Sequence, residues 1–173
     1  YKPFECWTVG SECNGSFAQY MVAFSDESYK IESDWSDIEL GSIPCAYSTA
    51  ENLLERSNVS KGETVLITGS SGGVGSAVIQ LAKRRGATII AVASDQKITD
   101  VKSIGADHVV KRDDNLIDIL GKGCVDVVID LVAGRKWGEL LEVLKKGGRY
   151  AAAGAIAGPI VELDVRTLYL KDL

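Results

Sequence analysis

From residue 64 onward the chain alternates short apolar runs with stretches whose apolar residues recur every three or four positions. The runs are TVLIT (64–68), TIIAVA (88–93), HVVK (108–111), VDVVIDLV (125–132) and RYAAAGA (149–155). A strand covered on both faces needs apolar side chains at successive positions, so these runs read as buried strands. Between them Val74, Ala77, Val78, Leu81 and Ala82 share one helical face, as do Trp137, Leu140, Leu141 and Leu144. Each such helix presents one apolar stripe to a sheet. Gly86, Gly105 and Gly147 stand where a helix should stop and the chain turn into the next strand. Strand, helix and strand repeated in this way require right-handed crossovers, which make the strands parallel.

The first 60 residues have a different texture. GSFAQYMVAF (15–24) alternates well enough for a strand, and SYKI (28–31) resembles a shorter one. SDWSDIELGSI (33–43) opens like a helix with Ser36 as its N-cap. Pro44 is expected to break that helix, with a second one over residues 46–56. The domain boundary is therefore placed between residues 43 and 44. Residues 44–173 then follow the order of a Rossmann fold, an α/β doubly wound parallel sheet flanked by helices. That fold commonly has about six strands, and the segment LYLKDL (168–173) stands where the strand after RYAAAGA could begin.

Composition narrows the functions open to such a chain. With 46% hydrophobic residues in 173, there is enough apolar side chain for one good core. A net charge of −5 argues against a nucleic-acid surface, which needs clustered cations to displace counterions. Lys83, Arg84 and Arg85 do cluster, but they fall in the last turn of the helix that ends at Gly86, where cations complement the helix dipole. No apolar run reaches the roughly 18 residues of a membrane span, and no signal segment opens the chain, so a cytoplasmic protein is expected. The cysteines at 6, 13, 45 and 124 form no CxxC pair, which argues for free thiols or single ligands rather than a disulfide framework.

The most informative stretch is TGSSGGVG (68–75), which follows a strand and opens a helix. Two glycine templates overlap on it. As TGxxxGxG it would mark a short-chain dehydrogenase, but that class carries the loop near its N-terminus with a YxxxK pair, and no YxxxK occurs here. As the second half of GxGxxG, its working glycines are Gly72 and Gly75, with Ser70 in the first glycine's place. Ser71, Gly72, Gly73, Val74 and Gly75 would then cradle a pyrophosphate, with backbone N–H groups and the helix dipole directed at the anion. A methyltransferase-type fold would want an acid closing the second strand, where Ala93 stands.

The strand tip AVASDQK (91–97) bears on which dinucleotide is bound. Ser94 can donate to a 2′-phosphate and Lys97 can supply a cation to it, which favours NADP. Asp95 keeps NAD open, since a carboxylate near this position can accept from ribose hydroxyls.

Several segments resemble the medium-chain dehydrogenase/reductase superfamily, that is, the zinc-type alcohol dehydrogenases and quinone oxidoreductases. They are GSFAQY (15–20), IPCAYSTAENLLER (43–56), KGETVLITGSSGGVGSAVIQLAKRRGA (61–87), IGADHVV (104–110), VDVVIDLVAG (125–134) and LKKGGRYAAAGAIAG (144–158). The resemblance implies a cofactor-binding half, preceded by a short remnant of a β-rich catalytic domain, in an enzyme that moves hydride to or from an alcohol, carbonyl, activated alkene or quinone. It also implies that serine at the first loop position is no objection, that Thr49 contacts the nicotinamide, and that the backbone of Gly154, Ala155 and Ile156 lines the carboxamide. Cys45 would be one ligand of a catalytic zinc, with its partner ligands outside this chain. A zinc-containing parent, a homodimer and a small-molecule substrate follow from the same resemblance, and the chain alone is not expected to turn over. The alternative is a non-catalytic NADP-binding sensor or interaction module.

Other ligand candidates are weak. His108 opens a strand and reads as a packing residue, Cys124 falls in the loop before the fourth strand, and Cys6 and Cys13 lack metal-site spacing. Cys45 itself, placed just after Pro44, is expected near a helix N-terminus, where a thiolate is favoured.

Overall fold

The computed structural model describes residues 8–173. It divides into one unit ending at Ser36 and a second spanning Asp37–Leu173. The described part of the first unit is a turn closed by a Val9–Cys13 bridge and one 3-10 turn at Ser25–Glu27. Residues 15–24 and 28–31 form no strand there. Alternation makes a strand only when a neighbour completes the hydrogen-bond ladder, and Phe17, Tyr20 and Val22 are exposed within the described chain.

The second unit opens with α1 (Asp37–Arg56) and continues through β1 (Thr64–Ile67), α2 (Gly73–Arg84), β2 (Thr88–Ala93), α3 (Ile98–Ser103) and β3 (His108–Lys111). It then runs through α4 (Leu116–Leu120), β4 (Val125–Asp130), α5 (Trp137–Val143), β5 (Leu144–Ala152) and α6 (Val165–Lys171). All neighbouring strands are parallel, in the order β3-β2-β1-β4-β5. The order reverses between β1 and β4, which opens a crevice at their carboxyl ends.

Successive strand residues go to opposite faces. Val65, Ile67, Ile89, Ala91, Val127 and Ile129 join one apolar cluster with α1, α2 and α3, which contribute Leu54, Ala77, Val78 and Val101. Leu66, Ile90, Val92 and Val128 join a second cluster with Leu116 of α4 and Leu140 and Leu141 of α5. Burial of each such side chain contributes about 1.5–3 kcal/mol, so the uninterrupted apolar runs are the direct cause of the two-sided sheet.

Three expectations need correction. Pro44 does not break a helix: it lies inside α1, which runs unbroken from Asp37 to Arg56. A proline in a helix removes one ladder donor and crowds the carbonyl four residues back, at a cost of roughly 3 kcal/mol. Burial of Tyr47, Ala50, Leu53 and Leu54 against the core outweighs that cost. The last strand does not begin after Gly147. The chain enters the ladder at Leu144, opposite Val125, loops out, and resumes with Arg149 opposite Val127. Gly147, at φ +73°, therefore turns a bulge rather than ending a helix, and Leu144 belongs to the strand rather than to α5. Finally, LYLKDL begins no strand; its first four residues complete α6, which Asp164 caps by accepting from Arg166 N–H at 3.0 Å. Gly86 and Gly105 do follow α2 and α3 as expected, both with positive φ.

Candidate functional site

Because every strand of the sheet is parallel, the loops that follow them gather at one edge. The loop after β1 is residues 68–72. Gly69 turns the chain at φ +59°, and its carbonyl accepts from Gly72 N–H at 3.1 Å. Ser70, fully buried, donates its hydroxyl to the Val92 carbonyl at 2.7 Å and ties the loop to β2. A residue with a side chain is therefore useful at the first glycine position, because the hydroxyl points into the sheet and away from the crevice. Gly75 must stay bare: a Cβ there would fall 2.6 Å from Ser70 Cα and overlap the Gly69 carbonyl. This contact lets α2 begin hard against the end of β1.

Gly72, in extended conformation, is the N-cap of α2, and Ser76 N–H closes onto its carbonyl at 2.8 Å. By helix geometry the N–H groups of Gly73, Val74 and Gly75 then have no acceptor inside the helix. With the dipole of the 12-residue α2 behind them they form an anion-binding end, and Gly73 faces Ala46 of α1, where an ideal Cβ would make ordinary van der Waals contact at 3.7 Å. These residues fit a dinucleotide pyrophosphate.

On one side of this loop, β2 ends at Ala93 and a 3-10 turn follows at Asp95–Lys97, with Ser94 half-buried at its start. Lys97 Nζ lies 3.0 Å from Asp100 Oδ2 in an exposed ion pair. On the other side the segment after β5 runs beside the segment after β4. Ala153 N–H donates to Asp130 O at 3.0 Å and Ala157 N–H to Val132 O at 2.9 Å. Gly154, Ala155 and Ile156 lie between these two bonds, and a Cβ on Gly154 would fall 2.8 Å from the Leu131 carbonyl carbon. The three sets of residues thus stand over β2, β1 and β5 along one edge.

Sequence reasoning missed the residue that organises the β4 end. Asp130 is completely buried, and its Oδ1 accepts from Thr68 Oγ1 at 2.5 Å and from the N–H groups of Val132 and Ala133 at 2.9 and 3.0 Å. Its Oδ2 accepts from the Tyr150 hydroxyl, and Thr68 Oγ1 in turn accepts from Leu131 N–H at 2.9 Å. Burial and the neighbouring carboxylate both push the Tyr150 phenol far above its ordinary pKa, so it stays a donor. Tyr150 is further fixed by edge-on packing against Trp137, with centroids 4.6 Å apart. The outcome is a bent loop in which Ala133 takes φ +55°, a conformation that non-glycine residues adopt only when their surroundings enforce it. The sequence signal is the aspartate that closes VDVVID directly after its apolar run Val127–Ile129.

The region of α1 answers differently. Thr49 is half-buried and its hydroxyl donates to the Cys45 carbonyl at 2.7 Å, leaving it free only as an acceptor. Cys45 is exposed and lies more than two turns into α1, at about 3.6 residues per turn. The end of the helix dipole acts only within the first turn, so the N-terminal environment expected for this thiol is not there. A catalytic zinc needs about three converging protein ligands, and among the described residues no group of three or more His, Cys, Asp and Glu side chains could hold a metal. The described residues therefore do not make a zinc site. Cys124 precedes β4, half-buried, with burial pushing its thiol pKa up. His108 opens edge strand β3 and is exposed rather than packed, whereas Val110 of the same strand is buried. Cys6 lies outside the described residues, and Cys13 is partly buried in the N-terminal turn.

Residues 73–173 match the family model of the zinc-binding dehydrogenases. The chain belongs to that family. It is the cofactor-binding half of a medium-chain dehydrogenase/reductase, as the resemblance implied. Acryloyl-coenzyme A reductase of Metallosphaera sedula is 31% identical over 94% of this chain and 49% of its own length. A protein of Sinorhizobium meliloti 1021 described as an alcohol dehydrogenase superposes with a TM-score of 0.89 at 47% identity, over 95% of this chain and 47% of its own. Mycobacterial Rv1454c, solved with NADPH, superposes at 0.73 with 29% identity, over 82% of this chain and 46% of its own. The chain thus spans about half the length of the relatives it matches. No helix among the described residues is long and apolar enough to cross a membrane.

Proposed function

We propose that this chain is the cofactor-binding half of an NADP(H)-dependent oxidoreductase that acts on an alcohol, a carbonyl or an activated alkene or quinone. The observation that carries the reading is the glycine loop feeding the open N-terminus of α2 at the point where strand order reverses. When bound there, the nicotinamide cofactor supplies hydride exchange. The chain's own part is placement. The N–H groups of Gly73, Val74 and Gly75, with Ser71 and Gly72 before them, hold the pyrophosphate against the helix dipole. Ser94 and Lys97 meet the 2′-phosphate, which fixes the adenosine end over β2. At the other end the backbone of Gly154, Ala155 and Ile156, backed by the loop that Asp130 bends, offers hydrogen bonds to the carboxamide and keeps the ring at the β4–β5 edge. In the same reading Thr49 of α1 contacts the nicotinamide.

The NADPH complex of Rv1454c and the alkene substrate named for the M. sedula relative support the cofactor and substrate class. Proton transfer to or from the substrate and any zinc belong to residues beyond this set, with Cys45 as the single candidate ligand here. A homodimer is part of the same reading. Among the described strands β5 pairs only with β4, and its outer edge would be open to a second chain.

Titrating the chain with NADPH, and repeating it with Gly73→Asp, tests the proposal. A first-turn acid suits the helix and a Cβ at this position meets Ala46 only at ordinary contact distance, so the variant should fold, while its carboxylate should repel the pyrophosphate and weaken binding by more than about tenfold. Equal binding by both proteins would place the cofactor elsewhere.

A further inference from the structure

We propose that Lys111 sets the cofactor preference of this cleft by holding Asp95 away from the ribose. The inference rests on the dinucleotide reading and extends it from the groups that attract the 2′-phosphate to the one that restrains the competing acid.

Asp95 follows Gly75 by about 20 residues, at the end of the second strand, where a carboxylate accepts from the adenosine ribose and disfavours a 2′-phosphate. By position alone the chain carries an NAD-type acid beside an NADP-type lysine. The sheet resolves the conflict. β2 and β3 are parallel with Ala93 opposite Lys111, and Arg112 N–H donates to Ala93 O at 2.8 Å, carrying the pairing one residue past the strand. That register sets Lys111 beside the turn at 95–97, and its Nζ lies 3.1 Å from Asp95 Oδ1. The pairing also holds the Lys111 proton more firmly, through the hydrogen bond to Asp95 and its charge. Lys97 is matched in the same way by Asp100.

The two ion pairs are more than half exposed, so each is weak and exchangeable. A doubly charged phosphate entering between Lys97 and Lys111 would outbid a single carboxylate for either ammonium group. A ribose 2′-hydroxyl carries no such charge and would meet an Asp95 already engaged. Lys111 would thus act twice, as a partner for the 2′-phosphate and as a restraint on Asp95.

The test is the ratio of dissociation constants for NADP and NAD, measured on the full chain for the native protein, Lys111→Gln, Lys111→Arg and the double variant Lys111→Gln with Asp95→Asn. A merely structural role for the ion pair would weaken both cofactors together and leave the ratio alone. The expected result is a shift toward NAD of about tenfold in Lys111→Gln, little change in Lys111→Arg, and recovery of part of the NADP preference in the double variant. An unchanged ratio in Lys111→Gln, with both cofactors still bound, would overturn this role and leave the dinucleotide reading standing. Failure of the native chain to bind either cofactor would overturn both. The adenosine-end probes 2′,5′-ADP and 5′-AMP should repeat the pattern, since only the 2′-phosphate distinguishes their ribose ends.

Discussion

The two ends of the crevice are built by opposite means. At the β4–β5 end a completely buried carboxylate, Asp130, gathers two hydroxyls and two backbone N–H groups and bends the loop through Ala133. At the β2–β3 end the corresponding work falls to Lys97–Asp100 and Lys111–Asp95, ion pairs more than half exposed to solvent. Buried polar networks are costly to disturb because every member loses its partner in a low dielectric. Exposed pairs are cheap to rearrange because water replaces them. The difference suits the two tasks. The end assigned to the nicotinamide needs a fixed wall, and the end assigned to the 2′-phosphate needs charges that can change partners when an anion arrives.

Breaking the buried end should give the largest effect. Asp130→Ala leaves Thr68, Tyr150 and two backbone N–H groups without an acceptor and should lower unfolding free energy by about 3 kcal/mol or more, read by urea denaturation. Tyr150→Phe keeps the ring against Trp137 and removes one donor, so a loss of about 1–2 kcal/mol is expected in the same assay. If either variant unfolded like the native chain, the network would not be what holds this end. The exposed end should answer in binding rather than stability. Lys97→Ala should weaken NADP by several-fold, leave NAD nearly unchanged and barely move the melting temperature. A clear drop in melting temperature would make that lysine structural and erase the contrast between the ends.

The same contrast explains what could be read from the sequence. β1 to β4 were legible within a residue or two, because two-sided burial writes itself as an unbroken apolar run. The glycine loop was legible because its constraints are local, as with Gly75 against the carbonyl of Gly69. Features that depend on distant partners were not. Pro44 stays inside α1 because residues further along the helix bury against the core, and β5 is entered early because Leu144 finds Val125 across the sheet. Asp130 looked like any strand-end acid until Thr68 and Tyr150 were brought to it from the neighbouring strand ends. Lys111 likewise gained meaning only from its register against Ala93.

Calorimetric titration of the chain with NADP and NAD, in parallel and at one salt concentration, tests the central claim most directly. The account predicts saturable binding of NADP at one site per chain, displaced by 2′,5′-ADP, with NAD bound several-fold more weakly. No binding of either cofactor, or NAD bound as tightly as NADP, would contradict it.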